Sequence, residues 1–214
     1  MGIMQDRHRM IGACDSELPP QYKRLTYVHA PYGAYLDTGI TINRGCIVTL
    51  DMMITATTSN YSYWGYRWSG NWTNPYQFYL QTNNGYRIII GTTAAGSNNN
   101  EAFVGDVRQK IVMDTTTGSA YVNGSQVLLT TDIANAFDSD GSSVYHPFLF
   151  GTNLVGTVGY SSGYMKVYAY EVEESGALTQ KLIPCKNASG TVGFWDAVRH
   201  TFMSSATAIA FDEE

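Results

Sequence analysis

Two segments near opposite ends of the chain decide the fold: YVHAPYGAYLDTGI, residues 27–40, and LIPCKNASGTVGFWDAVRHTF, residues 182–202. Both combine short apolar and aromatic runs with glycine-bearing turns, a pattern that is typical of short β-strands. The second segment also carries four apolar side chains that can bury area against a neighbour, namely Phe194, Trp195, Val198 and Phe202. We therefore predict that the closing segment packs against the opening one.

Between these segments the sequence alternates strands with turns. Residues 46–54 are rich in β-forming residues and predict a long strand. The Asn-Asn-Gly step at residues 83–85 and the Asn-Gly step at residues 123–124 each predict a hairpin turn. Only residues 132–137 resemble a helical turn or two. This pattern predicts an all-β sandwich rather than a β-α-β fold.

The two terminal segments resemble the first and last strands of concanavalin A-like (laminin-G-like) domains of gut bacteria and their phages. The resemblance extends from Leu18 to Phe211. The sequence departs from the usual family motifs at His29-Ala30-Pro31 and at Trp195. It implies an antiparallel, two-sheet jelly-roll sandwich over residues 22–214. Lectins, glucanases and purely structural modules all share this fold, so the resemblance alone leaves the function open.

Residues 1–21 form a separate N-terminal arm in this interpretation. Pro19-Pro20 cannot continue a helix or a central strand, so this step marks a boundary. Similar Arg/Met-rich leaders precede the domain in the phage proteins that the chain resembles. We predict a docking segment, with a frayed terminus as the alternative, and its partner-binding residues are Arg7, Arg9, Met10 and Ile11.

Composition excludes several classes of partner. The net charge is −5 and only 14% of residues are charged, so we expect no binding to nucleic acid. No apolar run is long enough to predict membrane insertion, and residues 1–9 lack the apolar centre of a secretion signal. The resemblance and the leader together imply a virion protein that is assembled in the bacterial cytoplasm and carried in the extracellular particle.

The sequence offers no convincing catalytic or metal centre. Glu171 and Glu173 share a strand face, but the third carboxylate, Glu174, is out of register for a glucanase. The four histidines, His8, His29, His146 and His200, are scattered. Asp138 and Asp140 begin like a calcium loop whose remaining ligands are missing, and Cys14, Cys46 and Cys185 are too widely spaced for a zinc site. We predict no catalytic residue, no metal and no cofactor.

Aromatic residues near one turn are the best candidates for ligand binding. Parity along residues 61–68 places Trp64, Tyr66 and Trp68 on one face of a strand. The strand resembles a core strand of the family around Trp64-Gly65, and this resemblance assigns Trp64 and Tyr66 to the core. A Gly/Asn/Pro-rich loop follows. Aromatic faces and amide groups together suit sugars. The predicted ligand-binding residues are Trp68, Trp72, Asn74 and Tyr76.

These observations favour a non-enzymatic adhesion or surface-display module of a bacteriophage particle, with glycan binding left open. One alternative is a structural decoration protein that binds only other virion subunits. Another is a glycoside hydrolase of the glucanase branch. The expected partners are other virion subunits or a host cell-surface glycan, and homo-oligomer formation remains open.

Overall fold

The computed structural model describes residues 17–55, 62–67, 77–82, 86–90, 105–129, 145–154, 157–159 and 164–213. These residues form strands and turns and contain no α-helix. The strands are β1 (Lys23–Arg24), β2 (Val28–His29), β3 (Leu36–Asp37), β4 (Cys46–Ile54), β5 (Ser62–Arg67), β6 (Gln77–Thr82), β7 (Tyr86–Ile90), β8 (Arg108–Asp114), β9 (Ser119–Val122), β10 (Ser125–Leu129), β11 (Phe148–Leu149), β12 (Thr152–Leu154), β13 (Thr157–Gly159), β14 (Met165–Glu174), β15 (Ala177–Lys186), β16 (Val192–Asp196) and β17 (Thr201–Met203).

The strands that the structure describes lie in two sheets. The larger sheet has ten strands in the order β10-β9-β8-β4-β14-β15-β16-β17, with β1 beside β15 and β2 beside β14. The smaller sheet has seven strands in the order β13-β12-β5-β11-β3, and β6 and β7 extend it from β5. Pairing is antiparallel throughout these strands except between β12 and β5, which run parallel. The chain therefore crosses between sheets repeatedly, as in a jelly roll.

The core lies between the two sheets. Strand β4 alternates strictly, and its inward residues Cys46, Val48, Leu50, Met52 and Ile54 are all buried. Trp64 of the smaller sheet faces Tyr170 of the larger one, with ring centroids 6.3 Å apart. Such alternation buries one face of each sheet and leaves the other face toward solvent.

A β-bulge changes the side-chain parity of β14. Strict alternation would place Tyr170 on the same face as Lys166 and Tyr168. The register instead passes from Val167↔Met52 to Ala169↔Asp51, so Tyr168 is the extra residue. Because an extra residue reverses the facing of all that follow, Tyr170 enters the core and is fully buried.

The two predicted hairpins are present. Thr82 pairs with Tyr86 across the Asn-Asn-Gly step, and Val122 pairs with Ser125 across the Asn-Gly step. Asn123 has φ of 50° and Gly124 has φ of 84°. Both values lie in the left-handed region that a two-residue type I′ turn requires.

The two ends of the sandwich meet through several contacts, and β16 of the closing segment contacts β2 of the opening segment. Strand β1 pairs with β15, and His29 forms an isolated bridge with Asp212. Phe194 packs in the core 6.3 Å from Phe211, measured between ring centroids. The predicted all-β, two-sheet, jelly-roll-like sandwich is thereby confirmed.

The boundary between the arm and the sandwich passes through a packed segment. Leu18 is only 9% exposed and lies in a second apolar cluster with Ile183, Cys185 and Trp195. Tyr22 stacks on Phe202, with ring centroids 5.5 Å apart. Residues 17–21 therefore lie against the outer face of the larger sheet. Residues 1–16, with Arg7, Arg9, Met10 and Ile11, lie outside the described residues.

Candidate functional site

The loop predicted to bind a ligand begins and ends at paired strands. Trp68, Trp72, Asn74 and Tyr76 lie outside the described residues, as do Asp138 and Asp140. Arg67 at the end of β5 is the cross-strand partner of Gln77 at the start of β6. Residues 68–76 therefore connect two neighbouring strands at one end of the smaller sheet.

Other connections leave the smaller sheet at the same end. Ile90, the last residue of β7, pairs with Phe78. Leu154, the last residue of β12, pairs with Arg67. The chain segments that follow Arg67, Ile90 and Leu154 therefore start side by side. Clustered loops at one end of a rigid sandwich are a common arrangement for recognition.

The aromatic residues of β5 belong to the core. The prediction for Trp64 and Tyr66 is confirmed, because they are 0% and 1% exposed. Tyr63 is also fully buried. The register between β5 and β6 shifts between Ser62 and Trp64, so Tyr63 is an extra residue there, and it belongs to the same core cluster as Trp64 and Tyr66. These three side chains are therefore not available to a ligand.

A groove lies on the outer face of the larger sheet, at a place that was not predicted from the sequence. It has a volume of about 370 Å³. One wall is Glu17 and Pro19 of the N-terminal segment, and the opposite side is Leu178 and Lys181 of β15. Trp195 of β16 and the following turn, with Ala197, Val198 and His200, complete it.

Trp195 is the central residue of this groove. Its side chain is 7% exposed, and the Tyr22 ring lies 4.9 Å from it, measured between centroids. The imidazole of His200 lies 6.2 Å away on the same measure. Among the described residues the Trp195 indole Nε1 has no hydrogen-bond acceptor. A buried donor of this kind costs free energy until an acceptor satisfies it.

Charged groups lie at the rim of the groove. The Lys181 ammonium is 2.8 Å from Glu17 Oε2 and 3.7 Å from Glu171 Oε1. Glu171 is thus engaged in a pairing on the outer face. Glu173 faces outward as well, since its cross-strand partners Ile47 and Leu178 are both exposed.

A buried polar cluster joins the opening and closing segments at the edge of the core. The Asp196 carboxylate is fully buried and accepts hydrogen bonds from Arg199 Nε at 2.6 Å and Gln180 Nε2 at 3.1 Å. Arg199 Nη2 also donates to the Thr38 carbonyl at 2.6 Å, and Gln180 Nε2 donates to the same carbonyl at 2.9 Å. We call Asp196, Arg199, Gln180 and the Thr38 carbonyl the polar clamp.

The polar clamp keeps its carboxylate ionised. Burial by itself raises the pKa of Asp196, but hydrogen bonds from Arg199, Gln180 and the Val198 amide outweigh it and lower the pKa overall. The buried thiols have the opposite behaviour. Burial raises the pKa of Cys46 to about 11 and that of Cys185 to about 12, so both are unreactive thiols. Cys46 and Cys185 are both free and buried, and Cys14 lies outside the described residues.

Two of the three described histidines contact carboxylates that belong to the scaffold. His146 Nδ1 lies 3.2 Å from Asp37 Oδ1, and His29 Nδ1 lies 3.9 Å from Asp212 Oδ2. In the described part of the chain, no group of three or more His, Cys, Asp and Glu side chains is placed to hold a metal ion. Within the same residues, no helix is long and apolar enough to cross a membrane.

A second polar network lies elsewhere on the outer face. Arg108 forms two hydrogen bonds to Asp51, at 2.8 and 2.7 Å, and its guanidinium carbon lies 4.1 Å from the Tyr168 ring centroid. Lys166 lies 4.4 Å from the Tyr27 ring centroid. Because the cations cover these aromatic faces, they leave little stacking surface for a sugar.

Comparisons with known proteins identify no relative of this chain. No family model, no curated protein and no solved structure matches the chain.

Proposed function

We propose that the protein is a non-enzymatic adhesion or surface-display module of a bacteriophage particle. In this proposal residues 68–76 contact a cell-surface glycan, and the domain is a concanavalin A-like one. The phage context rests on the resemblance of residues 27–40 and 182–202 to domains of that kind.

One observation carries the proposal: residues 68–76 are anchored at both ends by the Arg67↔Gln77 pair of a rigid sheet. Trp72 and Tyr76 supply aromatic area in this segment, and Asn74 supplies an amide that can bond a hydroxyl. A loop anchored in this way loses little entropy at its ends when it binds, which favours recognition by such segments.

The carboxylates favour a binding module over a glucanase. Glu171 pairs with Lys181, and Glu174 Oε1 accepts a hydrogen bond from Asn43 Nδ2 at 2.9 Å. A retaining glycosidase needs two carboxyl groups facing each other across roughly 5 Å, one of them protonated. Glu171 and Glu173 share the outer face of β14, but Glu174 pairs with the buried Cys46 and lies on the opposite face, so β14 lacks the third carboxylate of a glucanase arrangement.

The test measures binding of labelled protein to a glycan array and to bacterial cells. Trp72→Ala should weaken binding about tenfold or more, as expected for an aromatic anchor, and change stability by no more than about 0.5 kcal/mol. Tyr32→Ala is the matched control, because Tyr32 is 69% exposed and precedes β3 at the opposite end of the smaller sheet.

Equal binding by the parent and Trp72→Ala would reject this loop as the glycan contact. Analysis of purified phage particles, together with the binding measurements, distinguishes a structural decoration protein from an adhesin. A chain that is present in the particle and binds no glycan or cell is a decoration protein. A chain that is absent from the particle contradicts the phage part of the proposal.

A further inference from the structure

We propose that the groove around Trp195 is the docking site for the apolar part of the chain's own N-terminal arm, residues 10–15. This inference does not depend on glycan binding. It concerns an intramolecular contact that holds the arm on the outer face of the larger sheet.

The first observation is the position at which the described part of the chain begins. The described residues begin at Glu17, and Glu17 and Pro19 themselves form one wall of the groove. Residues that precede Glu17 start at the rim. An extended chain spans at most about 3.6 Å per residue, so Cys14 lies within about 11 Å of Glu17. A segment tethered this closely is present at the groove at an effective concentration of about millimolar.

The chemistry of the groove is the second observation. Leu178 is 40% exposed, and Val198 and Pro19 contribute further apolar surface to the lining. Met10 and Ile11 are the large apolar residues of the segment 10–15. A volume of about 370 Å³ accommodates side chains of this size. Their burial removes exposed apolar area from water on both partners.

The native Cys14 gives a direct experiment. Leu178→Cys places a thiol in the groove, while Cys46 and Cys185 are buried. Under mild oxidation the full-length Leu178→Cys protein should form an intrachain disulfide between Cys14 and the introduced thiol, identified by peptide mass mapping. Gln126→Cys is the control. Gln126 lies on the same face of the larger sheet as Lys181, but five strands away. At roughly 4.8 Å between neighbouring strands, the two positions are about 24 Å apart. The control should cross-link at least about tenfold more slowly.

Tethering alone could speed the first reaction, so a second variant separates docking from proximity. Adding Met10→Ser and Ile11→Ser to Leu178→Cys should slow disulfide formation about tenfold, because the apolar contact is lost. The same double substitution in the parent protein should shift the Trp195 indole N–H signal in a ¹H–¹⁵N spectrum. Trp195→Phe assigns that signal.

Three results would overturn the proposal. Unchanged cross-linking and an unchanged indole signal in the double-serine proteins would mean that the arm does not occupy the groove. Equal rates for Leu178→Cys and Gln126→Cys would show that the reaction is not specific to the groove. Disulfides between chains, with none within a chain, would make a second copy the occupant.

Discussion

Arg199 donates a 2.6 Å hydrogen bond from Nη2 to the carbonyl of Thr38, although 161 positions separate the two residues. The same guanidinium binds Asp196 through Nε, so one side chain joins the closing turn to the opening segment. One contact therefore joins residues 37–39 of the opening segment to residues 196–199 of the closing segment. The prediction that the closing segment packs against the opening one is confirmed, and its polar part was not anticipated.

Arg199→Ala should destabilise the fold by about 3 kcal/mol, because it leaves the buried Asp196 carboxylate without its cationic partner. Urea unfolding measures this loss. Arg108→Ala is the matched control, since Arg108 forms an ion pair with Asp51 while its own side chain is 52% exposed. Breaking that pair should cost no more than about 1 kcal/mol. Equal losses for the two variants would contradict the role of the clamp.

The clamp should also make the fold sensitive to acid. The folded-state pKa of Asp196 is lowered, so its contribution is fully present above the unfolded-state pKa of about 3.9. It is lost as pH falls through the folded-state value. The stability difference between the parent and Asp196→Asn should therefore shrink below about pH 4. A difference that stays constant between neutral and acid pH would refute this linkage.

Leu18→Ala should reduce the free energy of unfolding by about 2–3 kcal/mol, because Leu18 is only 9% exposed against the outer face of the larger sheet. Thermal and urea unfolding test this value. Lys23→Ala is a suitable control, since Lys23 is an exposed residue of the short strand β1 nearby. A neutral Leu18→Ala would mean that residues 17–21 belong to the arm and contribute nothing to the fold.

Gly124→Ala should cost about 1 kcal/mol, because Gly124 has φ of 84° and an alanine there is strained. No atom lies within 4 Å of the position that the new Cβ would take, so a steric clash cannot explain the loss. Ser125→Ala, at the next residue and equally exposed, should be close to neutral. A similar effect of the two substitutions on urea unfolding would argue against the type I′ turn.

Glu173→Gln and Glu171→Gln should leave any β-glucan hydrolysis by this protein unchanged, since neither carboxylate faces a second one across a cleft. Release of reducing sugar from a β-glucan is the measurement. Cleavage that disappears in Glu173→Gln would support the glycoside hydrolase alternative and contradict the binding module.

Local physics made much of the fold predictable. The β-forming run of β4, the Asn123-Gly124 turn and the shared strand face of Trp64 and Tyr66 all follow from preferences within a few residues. Side-chain parity and the φ angles of tight turns act over that short range, so the sequence carries them directly. The aromatic segment 68–76 was likewise proposed from composition, and its binding role stays a prediction.

Only the tertiary structure decided the features that depend on distant partners. Tyr170 enters the core because the bulge at Tyr168 arises from pairing with β4. The groove around Trp195 gathers side chains from the N-terminal segment, from β15 and from the turn after β16. A signal for it existed, since Trp195 alternates with the inward Phe194, but nothing in the sequence placed Leu18 and Tyr22 over that face. The sequence by itself thus determined the strands and turns, whereas the clamp and the groove exist only because long-range pairing brings residues together that local preferences cannot connect.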